Sequence, residues 1–164
     1  MIRSFVALAS SVLLVLALSG AVQAAPRNTH AGNGATPNVI GCSSTFWKGV
    51  TANNWSNPIG NVTYSGSVIL YGLYDSTSPN TFCGKVYAYA SITTQAGSAD
   101  ECVTPDLHYE VNSTFYDVKG NNVCGGNGIN NSAITPAETS GTADAVGIYS
   151  GEFNHSYSTN LETL

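Results

Sequence analysis

Hydrophobic and polar residues alternate along much of the chain after residue 41, and a two-residue period is typical of β-strands. The clearest example is the segment 82–93. One of its faces is apolar and carries Val86, Ala88, Ala90 and Ile92. The other carries Lys85, Tyr87, Tyr89 and Ser91. The segment 61–74 is instead apolar on both faces from Val68 to Leu73, apart from Gly72, and this predicts a central strand that is covered on both sides.

Two further segments alternate in the same way. The segment 107–118 predicts one strand, with Tyr109, Val111 and Phe115 on one face and His108, Glu110, Asn112, Thr114 and Tyr116 on the other. From Ala145 onward the apolar series changes parity at Ser150 and Gly151, which indicates a β-bulge. A weaker strand-like pattern covers 44–55. Turn-forming residues at 75–81, a hydrated pair at Asp100 and Glu101, and a mobile Gly/Asn-rich loop at 119–132 are expected between the strands.

These patterns predict the fold class. No window after the first 24 residues places apolar residues at helical spacing over three turns. Five or more short strands with turn residues between them predict an all-β protein. We expect a single antiparallel β-sandwich, with a small barrel as the alternative.

The first 24 residues have a different pattern. Arg3 precedes an uninterrupted run of small and apolar residues from Val6 to Leu18, and small residues follow up to Ala24. This is the pattern of a secretory signal peptide. An uncleaved anchor is the alternative, but this run is short against the roughly 20 residues of a membrane span. The segment 25–40 predicts a flexible leader, so the β-sandwich domain is expected over 41–164, in a secreted, extracellular protein without a membrane span after cleavage.

Cysteine usage agrees with export. The sequence has four cysteines, and an even number in a secreted domain predicts two disulfides, for which three pairings exist. We expect Cys42–Cys83 and Cys102–Cys124. Free thiols and a four-cysteine zinc site are the alternatives, but the closely spaced cysteine pairs of zinc sites are absent from this sequence.

Charge narrows the range of partners. The chain after residue 24 has four basic and ten acidic residues, a net charge of −6. Nucleic acids and anionic membranes are therefore disfavoured as partners. Charged residues make up 9% of the chain, so Asn, Ser, Thr and Gly supply most of its polar surface. The oligomeric state is not indicated.

Aromatic residues are the best candidates for ligand binding. Tyr87 and Tyr89 share one face of a predicted strand, and Tyr71 is expected on the equivalent face of its neighbour. Trp55 lies between Asn54 and Ser56 and is expected in an exposed loop. Aromatic rings on a sheet are surfaces on which sugar rings stack, with polar neighbours for the hydroxyls. The hypothesis is a binding or structural module for a wall or matrix polysaccharide or glycan. Tyrosines that pack the core, and a purely structural or adhesion protein, are the alternatives.

Catalysis is the other function class, and we lean against it. Glu110 and Glu152 both fall on predicted strands and form the one carboxylate pair that suits a small secreted glycoside hydrolase, provided they lie about 5 to 10 Å apart. His108, Glu110 and His155 form a conceivable metal-binding set. Three histidines, one of them (His30) in the leader, are too few to predict a metal. The sequence thus predicts no metal and no cofactor.

Glycosylation sequons occur five times. They are Asn54, Asn61, Asn112, Asn130 and Asn154. In a eukaryotic secretory pathway these are acceptor sites, whereas in a chain this rich in Asn, Ser and Thr several also arise by chance.

Overall fold

The structure of the protein, a computed structural model, describes residues 42–94, 100–139 and 141–164. The predicted signal peptide, the predicted leader and the first residue of the predicted domain lie outside the described residues. The described strands are β1 (Thr45–Ile59), β2 (Val62–Asp75), β3 (Phe82–Thr94), β4 (Glu101–Val111), β5 (Thr114–Lys119), β6 (Val123–Gly125), β7 (Gly128–Ala133), β8 (Ala137–Glu138), β9 (Thr142–Ser150), β10 (His155–Ser158) and β11 (Glu162–Thr163). The described segments contain no apolar helix long enough to cross a membrane.

The strands form two antiparallel sheets that pack against each other. Sheet A has the order β1-β2-β3-β7, with β8 beside β3. Sheet B has the order β10-β9-β4-β5, with β11 beside β9 and β6 beside β4. The all-β, antiparallel sandwich predicted from alternation is therefore confirmed.

The core lies between the sheets, as the alternation requires. Its fully buried aliphatic side chains are Val68, Leu70, Val86, Ala88, Ala90, Ile92, Val103, Leu107, Ala143 and Ala145. The prediction that β2 is covered on both faces is wrong. Ile69, Tyr71 and Leu73 are half-buried on the outer face, because sheet A packs against sheet B on one side only.

Aromatic rings fill one end of the core around Trp55. Trp55 is 8% exposed, so the expectation that it lies in an exposed loop is wrong. Its ring stacks on Phe153, with centroids 4.7 Å apart, and on Tyr157, with centroids 5.0 Å apart. The indole Nε1 donates a hydrogen bond to the Tyr149 hydroxyl oxygen at 3.1 Å. Trp55 is a core residue.

The segment 107–118 is a hairpin and not one strand. The chain reverses at Asn112 and Ser113, whose φ angles are 50° and 62°, as in a two-residue turn between antiparallel strands. The resulting register sets Tyr109 opposite Tyr116 and Phe115 opposite Glu110. Phe115 therefore shares the outer face with Glu110, which is the reverse of the predicted facing.

The parity change after Ser150 is also a chain reversal, because β10 folds back and pairs with β9. Glu101 holds this turn. It is fully buried, which contradicts the hydrated loop expected there, and its Oε1 accepts hydrogen bonds from the backbone N–H of Glu152 at 2.8 Å and of Phe153 at 3.2 Å. A buried carboxylate is tolerated when polar groups satisfy it.

Both predicted disulfides are confirmed. The Cys42–Cys83 bridge ties the segment before β1 to β3, and the Cys102–Cys124 bridge joins opposite positions on β4 and β6. The segment 119–132 is not the mobile loop expected from its composition. It contains β6 in sheet B and β7 in sheet A, so it connects the two sheets.

Candidate ligand-binding face

The outer face of sheet A gathers large apolar side chains from three adjacent strands. The register sets Trp47 opposite Leu73, Tyr71 opposite Tyr87, and Ile69 opposite Tyr89. Residues directly opposite each other on one face are close enough to touch. We call this set the aromatic face; it consists of Trp47, Ile69, Tyr71, Leu73, Tyr87 and Tyr89.

A register shift in β1 brings Trp47 to this face. Trp47 and Trp55 are eight residues apart, so a regular strand would place both rings on the same side. The register shifts between Gly49 and Thr51, where Val50 is the extra residue. An extra residue moves all later side chains to the opposite face. Trp47 therefore lies outside and Trp55 inside, and no local feature of the sequence shows this.

The rings of the aromatic face are packed against each other. Tyr71 and Tyr87 stack with centroids 4.7 Å apart and planes 6° from parallel. Trp47 lies nearly perpendicular to Tyr87, with centroids 4.8 Å apart. Because stacking covers the facing sides of the two tyrosines, they offer mainly ring edges and hydroxyl groups. Trp47 is 37% exposed and offers open ring surface.

Two phenol groups of the aromatic face are uncharged at neutral pH. Burial, followed by the neighbouring Tyr71 and Tyr89, raises the pKa of Tyr87 to about 12. Burial also raises the pKa of Tyr89, although the hydrogen bond with Ser91 opposes the shift. The phenol groups of Tyr87 and Tyr89 therefore keep their protons and can both donate and accept hydrogen bonds.

A row of uncharged polar residues borders the aromatic face. Across four strands it consists of Asn54, Ser67, Ser91 and Asn131. The hydroxyl oxygens of Ser67 and Ser91 lie 3.0 Å apart, in hydrogen-bond contact. Amide and hydroxyl groups beside an apolar surface suit a ligand that has both apolar faces and hydroxyl groups.

The predicted binding residues are thus brought together in part. Tyr71, Tyr87 and Tyr89 lie on the aromatic face, as their alternation suggested. Trp55 does not, because its ring is enclosed in the core. Trp47, which comes from the weakly strand-like segment 44–55, lies on the aromatic face instead.

The carboxylates considered for catalysis are far apart. Glu152 lies next to Glu101, the first residue of β4, because the backbone N–H of Glu152 donates a hydrogen bond to the Glu101 carboxylate. Glu110 is nine residues further along β4, which corresponds to roughly 30 Å of strand. Glu110 accepts a hydrogen bond from the Thr142 hydroxyl at 3.1 Å, and Glu152 accepts one from the Tyr64 hydroxyl at 2.9 Å. The pair does not meet the spacing of a glycoside hydrolase.

The conceivable metal set His108, Glu110 and His155 does not assemble either. His155 stacks on Phe153 at the aromatic end of the core, with centroids 4.6 Å apart. Aspartates surround His108 instead. Its Nδ1 lies 3.2 Å from Asp144 Oδ2, and its Nε2 lies 3.8 Å from Asp106 Oδ2.

A third aspartate, Asp117, also lies close to His108. Asp117 lies opposite His108 in the register of β4 and β5. Burial, followed by the neighbouring Asp117 carboxyl, raises the pKa of Asp106 to about 6, although His108 and Lys119 oppose the shift. We call Asp106, His108 and Asp117 the outer cluster of sheet B. The sequence did not indicate it, because Asp117 and Asp144 reach His108 only through strand pairing.

The sequon asparagines differ in their surroundings. The side-chain amide of Asn130 donates hydrogen bonds to the carbonyl oxygens of Glu101 at 3.2 Å and Gly125 at 2.5 Å. Asn54, Asn61 and Asn154 are exposed. The amide nitrogen of Asn154 donates a hydrogen bond to the Gly151 carbonyl oxygen at 2.8 Å, so access to this nitrogen favours Asn54 and Asn61 over Asn130 and Asn154 for any glycan attachment.

Comparisons with protein-family models, with curated proteins and with solved structures gave no match to this chain. Its function is therefore inferred from the geometry and chemistry of its two outer faces.

Proposed function

We propose that the protein is a secreted, extracellular binding module whose aromatic face takes an uncharged polysaccharide or glycan of a wall or matrix. The observation that carries this proposal is the outward position of Trp47 beside the stacked pair Tyr71 and Tyr87. Two disulfides in a chain of this size support an oxidising, extracytoplasmic location.

The chemistry of the aromatic face supports this class of ligand. A pyranose ring has an apolar side that packs on an open indole ring, and its hydroxyl groups need donors and acceptors at the border. The phenols of Tyr87 and Tyr89 and the row from Asn54 to Asn131 supply these groups. The net charge of −6 after residue 24 disfavours polyanions, so a neutral polymer fits best.

Affinity electrophoresis in soluble glucans, and pull-down on insoluble cellulose and chitin, test the proposal. We expect retention by at least one polymer and a roughly fivefold loss of affinity in Trp47→Ala, since one aromatic stacking contact contributes about 1 kcal/mol. Phe115→Ala is the matched control, because Phe115 is 71% exposed on sheet B, away from the aromatic face.

Two results would overturn the proposal. One is that none of the polymers retains the folded protein. The other is that Trp47→Ala and Tyr87→Ala bind as tightly as Phe115→Ala. Either result would favour the alternative of a purely structural or adhesion protein.

A further inference from the structure

The outer face of sheet B carries chemistry that the proposed function does not use. The register places Asp117, His108 and Asp144 in one row across β5, β4 and β9. Asp106 lies two residues before His108 and on the same face of β4. We propose that Asp106, His108 and Asp117 bind a divalent transition-metal cation of the Zn²⁺ or Mn²⁺ class, and that Asp144 orients the imidazole.

The ligand atoms are already close together. One carboxylate oxygen from each aspartate and one imidazole nitrogen all lie within 4.8 Å of one another. Zinc–oxygen and zinc–nitrogen bonds are about 2.1 Å long, so ligand atoms around one tetrahedral ion lie about 3.4 Å apart. A closure of about 1.5 Å or less would form the site. His108 and Asp117 are partly or well exposed, and their side chains can make this movement.

One oxygen of Asp106 supplies an independent sign of a missing partner. The residue is 4% exposed, and its Oδ1 is buried without a hydrogen-bond partner. Buried polar atoms are almost always paired, and an unpaired buried carboxylate oxygen is costly. Its neighbour Asp117 is another carboxylate, which has no proton to donate when ionised. A cation between the two carboxylates would satisfy both.

The orientation of His108 is that of a metal ligand. When Nδ1 carries a proton, it donates to Asp144 Oδ2, 3.2 Å away. Nε2 then carries the lone pair, and it lies 3.8 Å from Asp106 Oδ2. Histidine ligands are commonly held by a carboxylate on the second ring nitrogen, which fixes the tautomer and increases the basicity of the first.

The ligand set determines the class of ion. The imidazole favours zinc and related transition-metal ions over Mg²⁺ and Ca²⁺, which prefer oxygen ligands alone, and the two carboxylates also suit Mn²⁺. Three protein ligands leave at least one position for water or a ligand from solution. Lys119 Nζ lies 3.8 Å from Asp106 Oδ2 and competes with the metal for this oxygen. Lys119 is well exposed, so its side chain can move away.

Calorimetric titration of the secreted, untagged chain with Zn²⁺ and with Mn²⁺, after treatment with a chelator, tests this proposal. We expect one ion per chain. His108→Gln and Asp106→Asn should lose saturable binding, and Asp144→Asn should weaken binding roughly 10- to 100-fold while one site remains. Lys119→Met should bind as tightly as the unsubstituted chain or more tightly. His155→Gln is the matched control, because this histidine lies at the aromatic end of the core and should leave binding unchanged.

A second readout separates metal binding from an imidazolium ion that simply pairs with the two aspartates. Co²⁺ gives visible absorption bands when it enters a site with an imidazole ligand, and these bands should be absent in His108→Gln. The proposal is overturned if the folded chain binds neither ion at one equivalent, or if His108→Gln binds as the unsubstituted chain does. Because the His108 ring is partly exposed, this variant keeps the test decisive even if Asp106→Asn fails to fold.

Discussion

Glu101 provides the sharpest test of how this fold is held together. Its fully buried carboxylate lies at the start of β4 and accepts two backbone hydrogen bonds from the turn between β9 and β10. We predict that Glu101→Ala is among the most destabilising single substitutions outside the aliphatic core. The reason is that the change leaves the N–H groups of Glu152 and Phe153 buried or partly buried without a partner.

The size of the effect follows from these contacts. Hydrogen bonds to a charged group contribute about 1.5 to 3 kcal/mol each, so the loss of two predicts a decrease of roughly 3 to 6 kcal/mol in the free energy of unfolding. Glu101→Gln keeps one acceptor oxygen and removes the charge, and it should lose about half as much. Against a total of about 5 to 15 kcal/mol, the alanine variant should be only marginally folded.

Urea unfolding at pH 7, followed by tryptophan fluorescence, measures this free energy. Asp100→Ala is the matched control, because Asp100 is the exposed neighbour of Glu101 and its replacement should change the free energy of unfolding by about 0.5 kcal/mol or less. The reasoning is refuted if Glu101→Ala and Asp100→Ala unfold with free energies within about 1 kcal/mol of each other.

Three further predictions concern the packing and protonation of the core. A Cβ atom on Gly66 would collide with the Ser91 carbonyl oxygen and lie 2.5 Å from Trp55 Cζ2, so Gly66→Ala should lower the free energy of unfolding by about 3 kcal/mol. Gly49→Ala is the control and should change this free energy little, because its new methyl group would meet its nearest atom at 3.7 Å. Equal effects of the two substitutions in urea unfolding would contradict the close packing around Gly66. Trp55→Ala should lower the free energy of unfolding by about 3 to 5 kcal/mol and remove much of the near-ultraviolet circular dichroism signal. A variant as stable as the unsubstituted chain would contradict the buried position of this ring. Burial raises the pKa of Tyr149 from 10.0 to about 12, so the folded state holds this proton more tightly than the unfolded chain does. This difference contributes about 3 kcal/mol to the free energy of unfolding below about pH 10, and the contribution is lost as the pH rises toward 12. Unfolding curves measured across this pH range should show the loss in the unsubstituted chain. Tyr149→Phe should lack the part of the loss that comes from this tyrosine.

The aromatic face and the outer cluster lie on different sheets, and this separates the tests of the two proposals. The aromatic face belongs to β1, β2 and β3, whereas Asp106, His108 and Asp117 belong to β4 and β5. Trp47→Ala should therefore leave metal binding intact. Likewise, His108→Gln should leave retention on polysaccharides intact, so failure of one proposal does not affect the other.

The sequence alone determined the fold class and most of the strands. Alternation between inward and outward side chains is a local property, so β3 was predicted over 82–93 and is observed at Phe82–Thr94. The disulfide pairs were also predicted correctly. Three of the four candidate aromatic residues lie on one surface, because residues two apart on a strand share a face whatever the strand pairs with.

Only the tertiary structure decided which residues from distant parts of the sequence contact each other. One extra residue, Val50, places Trp47 and Trp55 on opposite faces of sheet A, and neither composition nor periodicity predicts such an insertion. The Glu101 carboxylate accepts a hydrogen bond from Phe153, which comes 52 positions later in the sequence. His108 contacts Asp144, which comes 36 positions later. These contacts depend on strand register, which is set by packing of the whole sandwich. For that reason the buried carboxylate and the outer cluster could not be read from neighbouring residues in the sequence.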